Sequence, residues 1–149
     1  MPRITKLPKY RDSIAATILG TKEAVLAPMR PKLRDFNITE PQWRVMRVLN
    51  DYGATDATTL AQGGLLHAPS VTRILKELEE RKLVVREPDA NDRRRTQVAL
   101  SPDGRAIVKE TSKDVLRIMR AYGDRFGYDR LERLLDEMRA LSAAIKDVK

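Results

Sequence analysis

Apolar residues recur with the spacing of an α-helix at both ends of the chain. The amino-terminal stripe advances in steps of four and seven residues, at Tyr10, Ile14, Ile18, Val25, Met29 and Leu33. Pro28 and Pro31 interrupt this face and predict a break in the helix near residues 27–31. The carboxyl-terminal stripes lie at Val108, Val115, Met119, Tyr122 and Phe126, and then at Leu131, Leu134, Leu135, Met138, Leu141, Ile145 and Val148.

The centre of the chain predicts three shorter helices. The first, from Thr39 to about Asp51, begins with a capping box that Gln42 completes. A short helix is expected at residues 57–62 and another from Pro69 to about residue 81. The buried side of the last helix is predicted to consist of Val71, Ile74, Leu75 and Leu78.

Two β-prone runs follow, at residues 83–86 and 96–100. The segment between them is polar and ends in three consecutive arginines, which predicts a hairpin with a basic tip. Ser101-Pro102-Asp103 then combines a cap, a proline and an acidic residue, the pattern of a helix start.

A short helix, a turn, a second helix and a hairpin together predict a winged helix-turn-helix in a mainly α (α+β) protein. We expect residues 1–36 to form an amino-terminal dimerisation region, residues 37–101 the winged domain and residues 102–149 the carboxyl-terminal dimerisation helices. A chain this small can hardly bury all of its terminal stripes alone, and a two-fold dimer is the commonest way to cover them.

The composition argues against an enzyme. The 149 residues include no cysteine and one histidine, His67, so no disulfide, thiolate nucleophile, metal site or cofactor is expected. No apolar run approaches the ~20 residues of a membrane span, and no signal peptide is visible, so a cytoplasmic protein is expected.

The formal net charge of +8 favours an anionic partner, and the charge is concentrated in two places. Residues 1–34 carry 8 basic and 2 acidic groups, and the hairpin tip carries Arg93, Arg94 and Arg95. The outer face of the predicted helix 69–81 holds Ser70, Thr72, Arg73 and Lys76. These side chains could contact base edges in the major groove, while the arginines could contact phosphates or the minor groove.

The sequence resembles the MarR family of transcriptional regulators over about residues 10–147. The residues that carry the resemblance are Ile38-Thr39-x-x-Gln42-Trp43-Arg44-Val45, Ser70-Val71-Thr72-Arg73, Leu78-Glu79-x-x-x-Leu83-Val84, Asp89-x-x-Asp92-x-Arg94 and Leu100-Ser101-Pro102-Asp103-Gly104. Within the family, the segments at 29–31, 37–40 and 69–72 look most like those of regulators of homoprotocatechuate degradation.

The resemblance implies a homodimer on a palindromic operator in double-stranded DNA, acting as a repressor that a small aromatic or phenolic acid releases. It places Arg94 in the minor groove, and Asp89 and Asp92 in ion pairs with wing arginines. It also suggests Trp43, with Lys22 opposite, as the edge of a ligand pocket.

Two positions depart from the family pattern. His67 and Ala68 stand where the helix at Pro69 usually has a Ser or Thr cap, and Lys82 replaces a glycine before the first strand. Lys82 is therefore expected in a left-handed conformation.

Other interpretations of these residues remain open. Trp43 is better explained as a core or domain-junction residue than as a ligand contact, and the arginine run has a solvated surface as its alternative explanation. A protein-interaction module that uses the winged fold without specific DNA binding is the main alternative function. An enzyme is a more remote one, and it would have to depend on His67.

Overall fold

The computed structural model describes residues 4–149, so Arg3 of the basic amino-terminal arm lies outside the described residues. A short 3-10 helix at Tyr10–Asp12 precedes seven α-helices and one two-stranded sheet. The elements are α1 (Ile14–Leu26), α2 (Met29–Asp35), α3 (Glu40–Tyr52), α4 (Ala57–Gly63), α5 (Ala68–Glu80), β1 (Val84–Pro88), β2 (Thr96–Leu100), α6 (Pro102–Phe126) and α7 (Tyr128–Ile145). The predicted break near residues 27–31 is confirmed as the junction of α1 and α2.

The chain divides into two compact units, one up to Thr111 and one at Ser112–Lys149. The first unit contains the helix-turn-helix and the wing, and α6 begins in the first unit and ends in the second. The predicted division into dimerisation regions and a winged domain, with boundaries after residues 36 and 101, is a division by function and stays a prediction.

The first unit has a core formed by α3, α5 and the base of the wing. Its side chains with 3% or less of their surface exposed include Leu33, Val45, Met46, Leu49, Leu60, Val71, Ile74, Leu75, Leu78, Val84, Val98 and Val108. The predicted buried side of α5 is therefore confirmed, and its opposite side is left to carry polar chemistry. Burial of each of these aliphatic side chains stabilises the fold by roughly 1.5–3 kcal/mol.

The strands β1 and β2 pair antiparallel, from Val84 opposite Leu100 to Pro88 opposite Thr96. Thr55, between α3 and α4, extends this small sheet through two backbone hydrogen bonds with Val98, at 3.0 and 2.8 Å. Strand β2, which follows the wing loop at residues 89–95, is thereby anchored to the segment that precedes α4.

Three helices of the first unit end in the same turn. After α2, α4 and α5, the residue that follows the cap has a positive φ: Asn37 at 53°, Leu65 at 54° and Lys82 at 58°. In each turn the next amide donates to a carbonyl five residues back, as Leu83 does to Leu78 at 2.9 Å. This is the Schellman motif, which usually places glycine at the positive φ. The expected left-handed Lys82 is confirmed.

Ser101 connects the wing to α6. Its hydroxyl donates to the Lys82 carbonyl at 2.7 Å and accepts from the Gly104 amide at 3.0 Å. A Cβ at Gly104 would lie 2.1 Å from the Leu83 carbonyl oxygen, so only glycine allows this approach. The predicted helix start is confirmed.

Neither α1 nor α7 contains a buried residue. On α1, Ile14, Ile18 and Leu19 are 42–60% exposed, and on α7, Leu134, Leu135, Met138, Leu141 and Ile145 are 36–51% exposed. The parts of the predicted stripes that lie on α1 and α7 therefore form apolar faces that are partly exposed.

Among residues 4–149, no helix is both long and apolar enough to cross a membrane.

Candidate nucleic-acid interface

The outer face of α5 carries the predicted polar residues. Thr72, Arg73 and Lys76 are exposed and Ser70 is partly exposed, opposite the buried Val71. The Thr72 hydroxyl donates to the Ala68 carbonyl at 3.2 Å, which leaves its lone pairs free to accept a further hydrogen bond. Donors and acceptors of this kind on one exposed helix face match the requirements of a major-groove reader.

Helix α5 begins without a side-chain cap. His67 occupies the cap position in an extended conformation, and its side chain makes no capping hydrogen bond. The missing Ser or Thr cap, which the sequence showed as a departure from the family pattern, therefore leaves this helix start uncapped by the His67 side chain. His67 is exposed at the start of the same helix that carries Arg73.

Asp89 organises the wing loop through backbone amides. One carboxylate oxygen accepts from the amides of Asn91 and Asp92, at 2.7 and 3.2 Å, and the other accepts from the Gln97 side chain at 2.9 Å. The expected ion pair between Asp89 and a wing arginine is therefore wrong. The backbone amides lie closer in the chain than any arginine, and the tight turn directs them at the carboxylate.

Asp92 does face an arginine. Its carboxylate lies 3.9 Å from Arg95 Nε and accepts from the Arg94 amide at 3.0 Å. All three arginines are exposed at the end of the hairpin. An exposed pair at this distance contributes little stability, so the backbone hydrogen bonds fix the loop and the guanidinium groups stay accessible.

Arg44 holds the turn between α4 and α5. It pairs with Glu40 at 2.6 Å and donates to the carbonyls of Gly64 and Leu65, each at 3.3 Å. The hydrogen bond with Glu40 raises the pKa of Arg44. Because Leu65 is the residue with positive φ, Arg44 secures the strained part of the helix-turn-helix.

Asp56 begins α4. Its carboxylate accepts from the Thr59 amide at 2.7 Å, and this hydrogen bond lowers the pKa of Asp56, with a smaller contribution from the positive charge of Arg95. Asp56 and Arg95 both line a shallow surface cavity between α4 and β2. The cap of α4 and the wing therefore influence each other electrostatically.

Trp43 is buried, with 7% of its surface exposed. The structure does not bring Lys22 to it: Lys22 is exposed on α1, and the cation over the Trp43 ring is Arg47, 5.6 Å from the ring centroid. Arg47 also pairs with Asp51 at 3.3 Å. A ligand role for Lys22 and Trp43 stays a prediction, and the burial of Trp43 fits a core role equally well.

A cavity of about 350 Å³ lies between α2 and the start of α3. Arg30, Arg34 and Glu40 supply its charged lining and Leu33 and Ile38 its apolar lining. Neither Lys22 nor Trp43 lines it. Arg30 is already paired with Glu23 at 2.8 Å, and this hydrogen bond lowers the pKa of Glu23.

Several residues that support the interface were missed by the sequence analysis. Gln42 was identified as a capping residue, but its side chain also reaches Glu77 of α5, 35 positions away. Arg81 donates to the carbonyls of Phe36 and Asn37, at 3.1 and 2.6 Å. These contacts join residues that are distant in sequence, so no local pattern indicates them.

Comparison with known proteins identifies the family. The family model described as MarR matches residues 38–96, from the start of the α3 region to the first residue of β2. The transcriptional regulator FarR of Neisseria gonorrhoeae is 34% identical over 135 residues, which cover 91% of this chain and 92% of FarR. The homoprotocatechuate degradative operon repressor of Escherichia coli is 30% identical over 133 residues, 87% of this chain and 90% of the repressor.

A solved structure of NadR in complex with 4-hydroxyphenylacetate is 30% identical in sequence. It covers 97% of this chain, and this chain covers all of it, with a TM-score of 0.79. The resemblance to homoprotocatechuate regulators and the winged-helix fold are thus confirmed, and the relatives' names are those of regulators rather than enzymes. The chain belongs to the MarR family and is a transcriptional regulator.

Proposed function

We propose that this regulator is a homodimeric repressor that binds a palindromic operator in double-stranded DNA and is released by a small aromatic acid. It acts in the cytoplasm, where it meets its operator. The observation that carries the proposal is the arrangement within the first unit: an exposed polar face on α5 and, after β1, an exposed triple arginine on the wing.

The two groups suit two different grooves of DNA. Ser70, Thr72, Arg73 and Lys76 present hydrogen-bonding groups on one helix face, as direct contact with bases requires. Arg93, Arg94 and Arg95 are exposed on a narrow hairpin, which suits phosphates and the minor groove. Hydrogen bonds to Asp89 and Asp92 already fix the backbone of the loop, so little conformational entropy of the loop is lost when the arginines bind DNA.

The uncovered faces of α1 and α7 support a dimer. Helices of 13 and 18 residues with no buried side chain gain little stability from a single chain, because helices of this length depend on packing. A second copy covers these faces and places two α5 helices on one duplex, as a palindrome requires.

An aromatic acid suits the surroundings of Trp43. Arg47 places a guanidinium 5.6 Å from the centroid of the Trp43 ring, and the carboxylate of such an acid would pair with it in place of Asp51. NadR, a relative of similar length, was solved with 4-hydroxyphenylacetate. The expected role of Lys22 as the cation opposite Trp43 is better filled by Arg47.

Ligand binding is testable by fluorescence, since Trp43 is the single tryptophan of the chain. Titration with homoprotocatechuate and with 4-hydroxyphenylacetate is expected to change the Trp43 emission and to release DNA at the same concentrations. Arg47→Met should weaken both responses. No change in emission or in DNA binding with either acid would contradict the ligand part of the proposal.

Footprinting on the DNA upstream of the protein's own gene tests the repressor. Two symmetric protected half-sites are expected, with centres about one helical turn apart. A protein-interaction module predicts no protection, and its binding to a protein partner should survive replacement of all three wing arginines by alanine. Absence of protection at all protein concentrations would contradict the proposal.

A further inference from the structure

Three charged residues follow one another at intervals of four: Arg73 and Glu77 on α5, and Arg81 at its carboxyl-terminal cap. The last member is fixed to the α2–α3 connection through the carbonyls of Phe36 and Asn37. The middle member is fixed to α3 through Gln42. Arg73 is the more exposed of the pair on α5: its side chain is 69% exposed, against 39% for Glu77. This series thus runs from an anchored end at Arg81 to an exposed end at Arg73, on the face proposed to meet DNA.

Gln42 is an unusually well-defined anchor for Glu77. It is 7% exposed, and its Oε1 accepts from the Thr39 amide at 3.0 Å. Because the oxygen is occupied, the side-chain amide nitrogen faces Glu77 and donates to Oε2 at 2.9 Å. The capping box of α3 therefore fixes the position of a carboxylate on α5.

The other oxygen of that carboxylate faces Arg73. Glu77 Oε1 lies 3.5 Å from Arg73 Nη1, and the Glu77 side chain is 39% exposed. An exposed pair of this kind adds little to stability. It does restrict the rotamers of a long side chain, and the guanidinium keeps further donors free for a base.

We propose that Glu77 is a positioning residue for DNA specificity, and this rests on the proposed function. Glu77 holds Arg73 in the orientation that contacts a guanine edge, where O6 and N7 accept two hydrogen bonds. Its negative charge also opposes the alternative in which Arg73 swings to a phosphate. Glu77 therefore favours the operator in two ways: it strengthens binding to the right base and weakens binding to any other DNA.

The test compares two duplexes: one enriched by the wild-type protein from a random-sequence library, and one with the same bases scrambled. Glu77→Gln keeps an acceptor for Gln42 but removes the charge. We expect it to bind the scrambled duplex about twofold more tightly and to lose about tenfold in the ratio of the two affinities. Glu80→Gln is the matched control, because Glu80 is an exposed glutamate of the same helix that makes no ion pair with Arg73. It should leave the ratio unchanged.

A double-mutant cycle separates positioning from a structural role. In an Arg73→Ala background, Glu77→Gln should produce no further loss in the ratio, and Glu77→Asp should be intermediate in the wild-type background. Two results would overturn the proposal for Glu77 and leave the proposed function standing. In one, Glu77→Gln lowers the affinity ratio equally with and without Arg73, and in the other it leaves the ratio unchanged. If the wild-type protein enriches no duplex, the proposed function fails, and this proposal with it.

Discussion

Asp89 and Gln97 face each other at the loop end of the two wing strands, where the Gln97 side chain donates to the Asp89 carboxylate at 2.9 Å. The same carboxylate accepts two loop amides, so one side chain fixes both the start of the loop and the strand that follows it. The loop shape therefore depends on hydrogen bonds to Asp89 rather than on pairing between its carboxylate and the arginines.

Asp89→Ala is expected to loosen the wing without unfolding the first unit. The loop loses three hydrogen bonds, each worth about 1 kcal/mol or less at an exposed site, so operator affinity should fall several-fold. Asp89→Asn retains an acceptor oxygen, so its operator affinity should lie between those of the wild type and the alanine variant. Proteolysis at residues 89–95 measures the loosening directly, and equal rates for the wild type and the alanine variant would contradict it.

Arg94→Ala is expected to weaken operator binding more than tenfold, because it removes the guanidinium assigned to the minor groove. Arg94→Lys keeps the charge but is more strongly hydrated, and it should recover only part of the loss. Sedimentation velocity should show the same oligomeric state for all three proteins. Wild-type affinity in the alanine variant would contradict a minor-groove role for Arg94.

Lys82→Gly is expected to raise the free energy of unfolding by about 0.5–1 kcal/mol. Lys82 has a φ of 58°, which glycine adopts without a steric cost. Lys82→Ala is the matched control, since alanine retains the Cβ and so most of the strain. Denaturant unfolding that gives glycine and alanine variants the same midpoint would show that the strain costs nothing.

Asp56→Ala should destabilise the first unit by about 1 kcal/mol at neutral pH through loss of the α4 cap. The hydrogen bond from Thr59 lowers the pKa of Asp56 in the folded protein. Its charge therefore contributes stability above the unfolded-state pKa of about 4, and this contribution is lost as the pH falls below that value. The difference in the free energy of unfolding between wild type and variant should shrink as the pH falls below about 4. A difference independent of pH would exclude the charge as its source.

Several features that depend on neighbouring residues were predicted from the sequence. The break at Pro28, the Thr39–Gln42 capping box, the buried side of α5 and the strained Lys82 each follow from local spacing or backbone chemistry. What it could not predict are contacts made by long side chains across the fold. The contacts of Gln42 with Glu77, Arg44 with Leu65 and Arg81 with Asn37 span 35, 21 and 44 positions, and each depends on how helices pack.

The wing shows the same limit on a smaller scale. Asp89 and Asp92 were correctly placed in the hairpin loop, but the partner of Asp89 was wrong. Family resemblance suggested an arginine, whereas the turn that residues 89–92 adopt directs two amides at the carboxylate. Composition indicates which groups are available, and backbone geometry decides which of them meet.

Fluorescence anisotropy at about 0.15 M salt tests the central claim most directly, with the protein's own upstream DNA and a scrambled duplex of equal length. Specific regulators typically prefer their site by 10³-fold or more, and we expect a preference of about that size. The wild-type protein should bind the scrambled duplex in a manner that weakens steeply with salt. Equal affinity for the two duplexes would contradict the assignment of α5 and the wing as a sequence-specific DNA interface.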